Sequence, residues 1–283
     1  MEFKKIKSAN VEVTTVCNAK CELCARTTLT NADYKVPVKH LDLKAFANLD
    51  WHNVTEDFHY FVLCGSFGDP LFHPQLYTLI DIIKKLNKRM IIHTNGSMYS
   101  ESWWSNFAKR LDTEDRVTFG LDGLTKDTHE KYRGTDFGKL MANIKAYTSA
   151  GGRGGINYIV FKHNEHEISN VDEFSKSLGL EYSQLRRSRK YNETLQAPNL
   201  KPAKNWEKPC FAEIGEVSID IDAMIHICCQ SYVRHFMKEI IGDRTPKWVK
   251  PLKRYKTFKD LQNSIYMKYI KEMDICNPCG RLE

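Results

Sequence analysis

The sequence predicts an α/β protein built mainly as a partial (β/α)6 barrel of the TIM type. Short runs rich in β-branched and aromatic residues alternate with longer amphipathic runs over the first 190 residues, a pattern typical of parallel strands joined by crossover helices. About six such units fit there, whereas a closed barrel needs eight. Beyond residue 190 an apolar–polar alternation predicts a smaller domain that contains a β-hairpin.

The strands of the barrel are predicted from their apolar content and from the turn residues that follow them. Their ranges are 10–16, 58–65, 90–94, 116–121, 156–161 and 181–187. The dipeptides Asn95-Gly96 and Asp122-Gly123 end two of these strands. Because the chemistry of such barrels lies at the carboxyl ends of the strands, we expect the loops that follow them to share one site.

The helices between the strands are predicted from apolar periodicity. In the first of them, positions 76, 79, 80 and 83 share one helical face, and lysines close the segment. The predicted ranges are 74–88, 102–111, 136–152 and 171–180. These helices supply the crossovers that parallel strands require.

The last third of the chain is organised differently. Residues 191–209 are polar, contain three prolines and are predicted to be a linker. Residues 215–229 are predicted to form a β-hairpin that turns at Asp222-Ala223, and a helix is predicted over roughly 258–272. We therefore expect a barrel domain over residues 1–190 and a hairpin-plus-helix domain over residues 191–283.

Composition is typical of a soluble globular protein, with 42% apolar and 27% charged residues. The N-terminal sequence MEFKKIKSANVEV lacks the apolar run of a signal peptide, and no apolar stretch approaches the ~20 residues of a membrane helix. We expect a cytoplasmic protein with no membrane partner. The barrel begins within about ten residues of Met1, so we also expect no fused leader-recognition domain.

Positive charge is concentrated in the C-terminal third. Residues 181–283 hold 19 Lys and Arg against 13 Asp and Glu, whereas residues 1–180 hold 23 against 22. Such a surface can meet nucleic acid, phosphorylated small molecules or an acidic redox protein, and it can equally be a solvated face without a partner.

Nine cysteines are present, and three of them, Cys17, Cys21 and Cys24, lie within eight positions. In a reducing compartment such a cluster indicates metal ligation rather than disulfides. The spacing allows one tight loop to bind three irons of a [4Fe-4S] cube, which leaves the fourth iron open. A zinc knuckle and incidental thiols are the alternatives.

Residues from about 8 to 190 resemble the radical S-adenosylmethionine (SAM) superfamily, first through this cysteine loop. The resemblance implies that SAM chelates the open iron and that its reductive cleavage gives a 5′-deoxyadenosyl radical, which takes hydrogen from a substrate. It also implies a reductant of the flavodoxin or ferredoxin type. In these enzymes the cofactor carries the chemistry, and the protein positions and shields it. One departure is Leu23, where an aromatic residue often precedes the third cysteine.

The segment LCGSFGDPLFHPQL is similar to the Gly-Gly-Glu-Pro turn of the superfamily. The resemblance implies that Ser66, Gly68 and Asp69 contribute to the SAM site. Glycine permits close backbone approach, and carbonyl and carboxylate oxygens accept hydrogen bonds from an ammonium group. Aspartate replaces the usual glutamate and is one methylene shorter.

Two further segments complete the resemblance. IIHTNGS implies that Thr94 and Asn95 contact SAM. VTFGLDGLTKDTHEKYRG, residues 117–134, implies a place for Asp122 at the rim of the cavity, with Gly120 where serine is common. Arg133 could pair with a nearby carboxylate, although a surface position is the favoured interpretation.

Four C-terminal cysteines can enclose a second metal centre, namely Cys210, Cys228, Cys276 and Cys279. Four thiolates suit an auxiliary [4Fe-4S] cluster or a structural zinc. The layout resembles the shortened SPASM-like auxiliary domain called twitch. Adjacent residues of a strand face opposite ways, so we expect one of Cys228 and Cys229 to be a ligand and choose Cys228 from the family spacing. Cys229 and Cys64 are predicted to be structural thiols.

The leading hypothesis is a radical SAM oxidoreductase, of the dehydrogenase or maturase type, whose auxiliary cluster relays an electron. Its substrate would be a small molecule or a peptide side chain, and the cysteine layout most resembles aminocyclitol dehydrogenases. One alternative is modification of a nucleotide, tRNA or DNA base, which the basic C-terminal third favours. Another is a non-catalytic iron–sulfur carrier, although a carrier needs no open iron.

Overall fold

The structure is a computed structural model and describes residues 6–54, 56–188, 191–200, 215–227, 229–242 and 254–263. Within these residues, eight strands form one open sheet in the order β6-β5-β4-β3-β2-β1-β7-β8. The strands are β1 Ser8–Glu12, β2 Tyr60–Cys64, β3 Arg89–Thr94, β4 Arg116–Gly120, β5 Gly154–Val160, β6 Tyr182–Arg187, β7 Glu216–Ile219 and β8 Ile225–His226. All neighbours are parallel except β7 and β8. The predicted fold class, an unclosed TIM-type barrel, is confirmed.

Within the described residues, seven α-helices lie between strands in sequence, and two follow the last strand. They are α1 Ala25–Asn31, α2 Leu43–Ala47, α3 Leu76–Lys85, α4 Glu101–Arg110, α5 Lys126–Arg133, α6 Phe137–Ser149, α7 Val171–Ser177, α8 Cys229–Ile241 and α9 Phe258–Gln262. The four predicted crossover helices correspond to α3, α4, α6 and α7. No helix in the described part of the chain is long and apolar enough to cross a lipid bilayer.

The core lies between the helices and one face of the sheet. Val11, Leu63 and Ile92 lie in consecutive register across β1, β2 and β3 and are fully buried, and Ile80 of α3 packs in the same cluster. Burial of one such side chain contributes about 1.5–3 kcal/mol. The alternate β1 residues Ser8, Asn10 and Glu12 point to the other face, and they are buried too. The second face of the sheet is therefore polar at β1.

Strand β1 differs from the predicted strand 10–16, because it begins at Ser8 and ends at Glu12. Beyond Glu12 the backbone pairs with a different segment. Leu41 N donates to Val13 O at 2.9 Å, and Thr15 N donates to Lys39 O at 3.0 Å. Residues 13–15 thus remain hydrogen-bonded outside the sheet, and they lead the chain into the cysteine loop at the carboxyl edge.

The predicted C-terminal hairpin is present, and it continues the barrel sheet. Strand β7 pairs in parallel with β1, in the register Val11 to Ile219, and β8 returns antiparallel to β7. Ala223 has a φ of 56° in the turn between them. Strand β8 ends at His226 and α8 begins at Cys229. Cys229 is therefore a helical residue, whereas Cys228 lies outside the described residues and its choice as the ligand stays a prediction.

The domain boundary at residue 190 stays a prediction. The predicted linker 191–209 is described only to residue 200, and there Leu195 is fully buried while most of the other residues are exposed. The predicted helix 258–272 is described as α9 up to Gln262, and its remainder lies outside the described residues.

Candidate active site

The cysteine loop connects β1 to α1 at the carboxyl edge of the sheet. Cys24 N donates to Cys21 O at 3.0 Å, and Thr28 N donates to Cys24 O at 2.9 Å as α1 begins. This turn holds Cys21 and Cys24 at the start of the helix. Cys21 is buried, whereas Cys17 and Cys24 are half-buried, and all three are free thiols.

Each thiol of the loop lies against a different neighbouring segment. Asn95 Nδ2 donates to Cys17 Sγ at 3.7 Å. Cys21 Sγ lies 3.9 Å from Arg133 O and 4.0 Å from Arg133 Nη1. Cys24 Sγ lies 3.9 Å from Ser66 O. The three sequence segments predicted to flank the cysteines therefore meet them in space, one at each sulfur atom.

Asn18, Asn95 and Ser97 form a closed polar ring beside Cys17. Asn95 Nδ2 donates to Asn18 Oδ1 at 2.9 Å, and Asn18 Nδ2 donates to Ser97 Oγ at 2.9 Å. Ser97 in turn donates from N and Oγ to Asn95 Oδ1, at 2.9 and 2.6 Å. The ring ties the cysteine loop to the end of β3. Asn18 and Ser97 were not predicted; the signal for them is only their place in the loops after β1 and β3.

Asp69 connects the turn that follows β2 to the end of β3. Its Oδ2 accepts from Thr94 Oγ1 at 2.9 Å and from Asn95 N at 2.7 Å, and its Oδ1 accepts from Leu71 N at 3.1 Å. The side chain is buried, which raises its pKa, while these hydrogen bonds oppose the rise. Thr94 and Asn95 are buried as well. The structure thus places all three residues in one protein-internal network, and direct contact of Asp69 with SAM stays a prediction.

The turn at residues 65–68 is compressed against the cysteine loop. A Cβ added at Gly68 would lie 2.0 Å from Thr14 O, and one added at Gly65 would lie 2.0 Å from Gly68 O. Asp69 N donates to Val16 O at 2.8 Å, which fixes the turn beside the residue that precedes Cys17. Only glycine permits this approach of two backbones.

Arg133 lies inside the site rather than on the surface, so the favoured interpretation from sequence was wrong. Its Nε pairs with Asp122, whose side chain is fully buried. A Cβ at Gly120 would lie 2.5 Å from Arg133 Nη2, so the absence of a side chain there makes room for the guanidinium. Burial alone would lower the pKa of Arg133, but Asp122 and then Cys21 raise it. Arg133 is therefore a permanent cation beside the second cysteine.

The segment 191–200 runs over the carboxyl ends of the strands and reaches the cysteine loop. Asn192 Nδ2 donates to Glu22 Oε1 at 2.6 Å. Lys162 N donates to Gln196 O at 3.0 Å, just after β5. This wall was not predicted, because its polar, proline-containing sequence has no periodicity that would indicate packing.

The pKa values of two of the three thiols are raised, which favours their protonated form as long as no metal is bound. Burial raises the pKa of Cys17 to about 12, and Asp69 and the two other cysteines add to the rise. Burial also raises the pKa of Cys21, against the effect of Arg133. Thiolates here therefore need a bound cation in place of their protons. No three histidine, cysteine or carboxylate side chains among the described residues converge on one metal-ion position.

The predicted auxiliary ligands lie outside the described residues. These are Cys210, Cys228, Cys276 and Cys279. Cys64, predicted to be structural, is a half-buried thiol on β2 whose Sγ donates to Asn10 Oδ1 at 2.5 Å.

The sequence profile of the radical SAM superfamily matches residues 11–175, which is more than half of the chain. The chain belongs to the radical SAM superfamily. The matched range contains the cysteine loop and every residue described above at its three sulfur atoms.

Two curated relatives overlap this radical SAM chain in part. The AdoMet-dependent heme synthase of Methanosarcina barkeri is 28% identical over 120 residues, which are 42% of this chain and 34% of that protein. The antilisterial bacteriocin subtilosin biosynthesis protein AlbA of Bacillus subtilis is 26% identical over 182 residues, which are 63% of this chain and 38% of that protein. The chain thus spans little more than a third of the length of either relative.

Among solved structures, SuiB of Streptococcus suis bound to S-adenosylmethionine has a similar fold. The TM-score is 0.66 at 13% identity, and the alignment covers 98% of this chain and 69% of SuiB. At this identity the similarity concerns the fold alone.

Membership of the radical SAM superfamily implies a [4Fe-4S] cluster and SAM, and the residues present fit both. Three free thiols from one loop are the soft ligands that iron–sulfur clusters take. Each of the three sulfur atoms has its own polar neighbour, at Asn95, Arg133 and Ser66. The tight turn at Gly65 and Gly68 leaves backbone rather than side chains beside the loop.

Proposed function

We propose that this chain is a radical SAM oxidoreductase that cleaves SAM reductively and oxidises a peptide side chain by abstracting hydrogen. One observation carries the proposal: the sulfur atoms of Cys17, Cys21 and Cys24 each contact one of the three other motifs, at Asn95, Arg133 and Ser66. Such convergence is expected of a site that holds a cluster and its ligand together.

The residues of the chain have separable tasks in this reaction. Cys17, Cys21 and Cys24 would hold the cluster, and Asp69 with Asn95 fixes the end of β3 beside it. When bound, the reduced cluster and SAM supply a 5′-deoxyadenosyl radical that takes a hydrogen atom from the substrate. Glu22 and the segment 191–200 form a wall on one side of the loop. Such a wall supports the exclusion of water from a radical site.

We further propose that Cys210, Cys228, Cys276 and Cys279 hold an auxiliary [4Fe-4S] cluster. A substrate that gives up one hydrogen atom, then a proton to a base and an electron to that cluster, is oxidised by two electrons. Four thiolates leave no open iron, so such a centre suits electron transfer rather than substrate binding. A flavodoxin- or ferredoxin-type protein would supply the electron for SAM cleavage.

A peptide is the favoured substrate because the similarity to AlbA, whose name assigns it to the biosynthesis of the bacteriocin subtilosin, covers 63% of this chain. Small-molecule substrates remain the alternative within the same mechanism.

The proposal is tested by anaerobic incubation of the reconstituted chain with SAM and dithionite. We expect 5′-deoxyadenosine in the wild type and none in the Cys17→Ala/Cys21→Ala/Cys24→Ala variant, measured by mass spectrometry. An electron carrier without catalytic function would give no 5′-deoxyadenosine in either. A peptide substrate is expected to increase product formation and to lose the mass of two hydrogens.

A further inference from the structure

Glu12 is the last residue of β1 and is a buried carboxylate, with 2% of its surface exposed. Ser66 N lies 2.8 Å from Glu12 Oε2 and 3.0 Å from Oε1, and Ser66 Oγ lies 2.5 Å from Oε1. Both hydrogen-bond donors of Ser66 therefore end on this one carboxylate. No sequence motif described above includes Glu12.

Ser66 is the residue through which Glu12 reaches the candidate active site. The carbonyl oxygen of Ser66 faces Cys24 Sγ at 3.9 Å, whereas the N–H and the hydroxyl of the same residue face Glu12. The N–H belongs to the Gly65–Ser66 peptide and the carbonyl to the following Ser66–Phe67 peptide, so the two bonds to Glu12 fix the Ser66 backbone and side chain from which that carbonyl projects. Bonds from two donors to one carboxylate are charge-assisted and about twice as strong as neutral ones.

We propose that Glu12 is a positioning residue for SAM and that it acts by fixing Ser66 against the cysteine loop. This inference rests on the proposed function, because it takes the cysteine loop and the Ser66 turn to be the SAM site. Glu12 is too deeply buried to touch SAM itself. Without it, Ser66 would lose the bonds to its N–H and its hydroxyl, and its carbonyl would be held less firmly against the loop.

The hairpin of the C-terminal third adds a second contribution. Asp220 follows Ile219, the β7 residue paired with Val11, so it lies beside Glu12 at the carboxyl edge. Asp220 accepts from His226 Nε2 at 2.6 Å and pairs with Arg254 at 2.7 Å. Burial alone would raise the pKa of Asp220, but His226 and Arg254 lower it. Asp220 is therefore an ionised neighbour of Glu12.

Protonation of Glu12 is expected to loosen Ser66. Burial raises the pKa of Glu12 to about 7, Ser66 opposes the rise and Asp220 adds to it. Among the described residues, the titratable Cys64 is the register partner of Glu12 on β2 and lies on the same face of the sheet. A protonated carboxyl loses its charge and one of its oxygens becomes a donor, so the two bonds from Ser66 lose their charge assistance and weaken. Ser66 is thus held best above pH 7, and SAM affinity should fall as the pH drops through this value.

The experiment measures SAM binding by equilibrium dialysis at pH 6, 7 and 8 on anaerobically reconstituted enzyme. Changes in the electron paramagnetic resonance spectrum of the reduced cluster on SAM addition provide a second readout. At pH 8, Glu12→Gln is expected to raise the Kd for SAM about tenfold with an unchanged iron content, the size of one lost charge-assisted bond. Its Kd should no longer depend on pH, whereas that of the wild type rises toward pH 6.

Asp115→Asn is the matched control. Asp115 is also buried and also accepts from two backbone donors, Met90 N at 2.8 Å and Asp112 N at 2.9 Å, but it lies at the opposite edge of the sheet. This variant should bind SAM with the affinity and pH profile of the wild type. If Glu12→Gln does not retain its iron, Ser66→Ala takes its place, and we expect a Kd raised about threefold with a weaker pH dependence.

The proposal is overturned if either variant binds SAM like the wild type at all three pH values. It is also overturned if Asp115→Asn weakens binding as much as Glu12→Gln. A wild-type chain that binds no SAM, or forms no 5′-deoxyadenosine, contradicts the proposed function itself and is thereby distinguished from failure of the inference about Glu12.

Discussion

Arg133 carries a permanent charge to the inner side of the cysteine loop. Only 17% of its side chain is exposed, and its partner Asp122 is fully enclosed. Asp122 also accepts from Ile159 N at 2.5 Å, so the carboxylate links α5 to β5. Burial raises the pKa of Asp122 while Arg133 lowers it. The two charges stabilise each other in a place where neither could remain alone.

Removal of Asp122 is therefore expected to be costly. Asp122→Asn leaves the guanidinium buried without its counter-charge, and loss of one partner from such a pair costs about 3–5 kcal/mol. Urea unfolding under anaerobic conditions measures this loss of stability. Asp172→Asn, in the exposed pair with Lys176, is the control and should have little effect, because solvent screens that pair. An Asp122→Asn chain as stable as the control would contradict the structural role.

At the residue level, sequence predicts ligands more readily than it predicts their supports. The spacing of Cys17, Cys21 and Cys24 is a local signal, whereas Glu12 and Asn18 acquire partners 54 and 79 positions away. The apolar periodicity of the sequence does not predict contacts between residues so far apart in the chain. From the sequence alone, Glu12 cannot be told from any other polar residue at the end of a strand. Its contact with Ser66 becomes visible only when the register of β1 and β2 is known.

Helix α8 packs on the turn at residues 65–68 through Phe67. Phe236 packs on Phe67 with ring centroids 4.7 Å apart, in a cluster with Leu29 of α1 and Val36. Lys39 and Glu239 form an ion pair at the edge of this cluster. A helix from the last third of the chain thus closes the side of the turn that carries Gly68 and Asp69.

Phe236→Ala is expected to expose the cluster to solvent. Loss of a buried phenylalanine costs about 3–5 kcal/mol when the cavity does not collapse, and here it would open a space next to Phe67. We expect the visible absorbance of the reconstituted cluster to decay several-fold faster in air than in the wild type. Lys238→Ala, at an exposed position of the same helix, should leave the decay unchanged. Equal decay rates for all three proteins would show that α8 does not shield the cluster.

Elements with a strong pattern are predictable, and those without one are not. Strand β3 and helix α4 lie within one residue of their predicted limits, since their apolar periodicity is uninterrupted. Helix α5 has the sequence KDTHEKYR and hardly any apolar face; its signals are the capping box of Thr125 and Thr128 and the left-handed Gly134. Helix α8 was also absent from the predicted elements, although positions 233, 236, 237, 240 and 241 share a face.

At the level of the whole molecule, the six parallel strands β1 to β6 follow from the sequence, but the parallel pairing of a seventh strand, β7, with β1 does not. Six alternating units predict an open sheet, as observed. The attachment of the C-terminal hairpin to β1 was not predicted, because a hairpin satisfies its own inner hydrogen bonds and the sequence does not say which other edge it will join. The outcome places Asp220 of the C-terminal third beside Glu12 of the first strand.

The two proposed clusters give a whole-chain prediction about iron. After anaerobic reconstitution we expect roughly eight irons per chain, and about four in the Cys17→Ala/Cys21→Ala/Cys24→Ala variant, because each four-iron cluster loads separately. Colorimetric iron and sulfide determination measures both. Cys64→Ala removes a thiol that is not a predicted ligand and should keep the full content. Four irons and one zinc in the wild type would rule out electron relay by the auxiliary centre.

The pairing of β1 with β7 has a consequence for synthesis on the ribosome. The strand at residues 8–12 pairs with residues 216–219, so one of its edges stays open until that much later segment has been translated. An open edge in a nascent chain invites pairing with other chains. Binding of a chaperone to the nascent chain would prevent such pairing during translation. Compact folding of the intervening residues as they leave the ribosome would have the same effect.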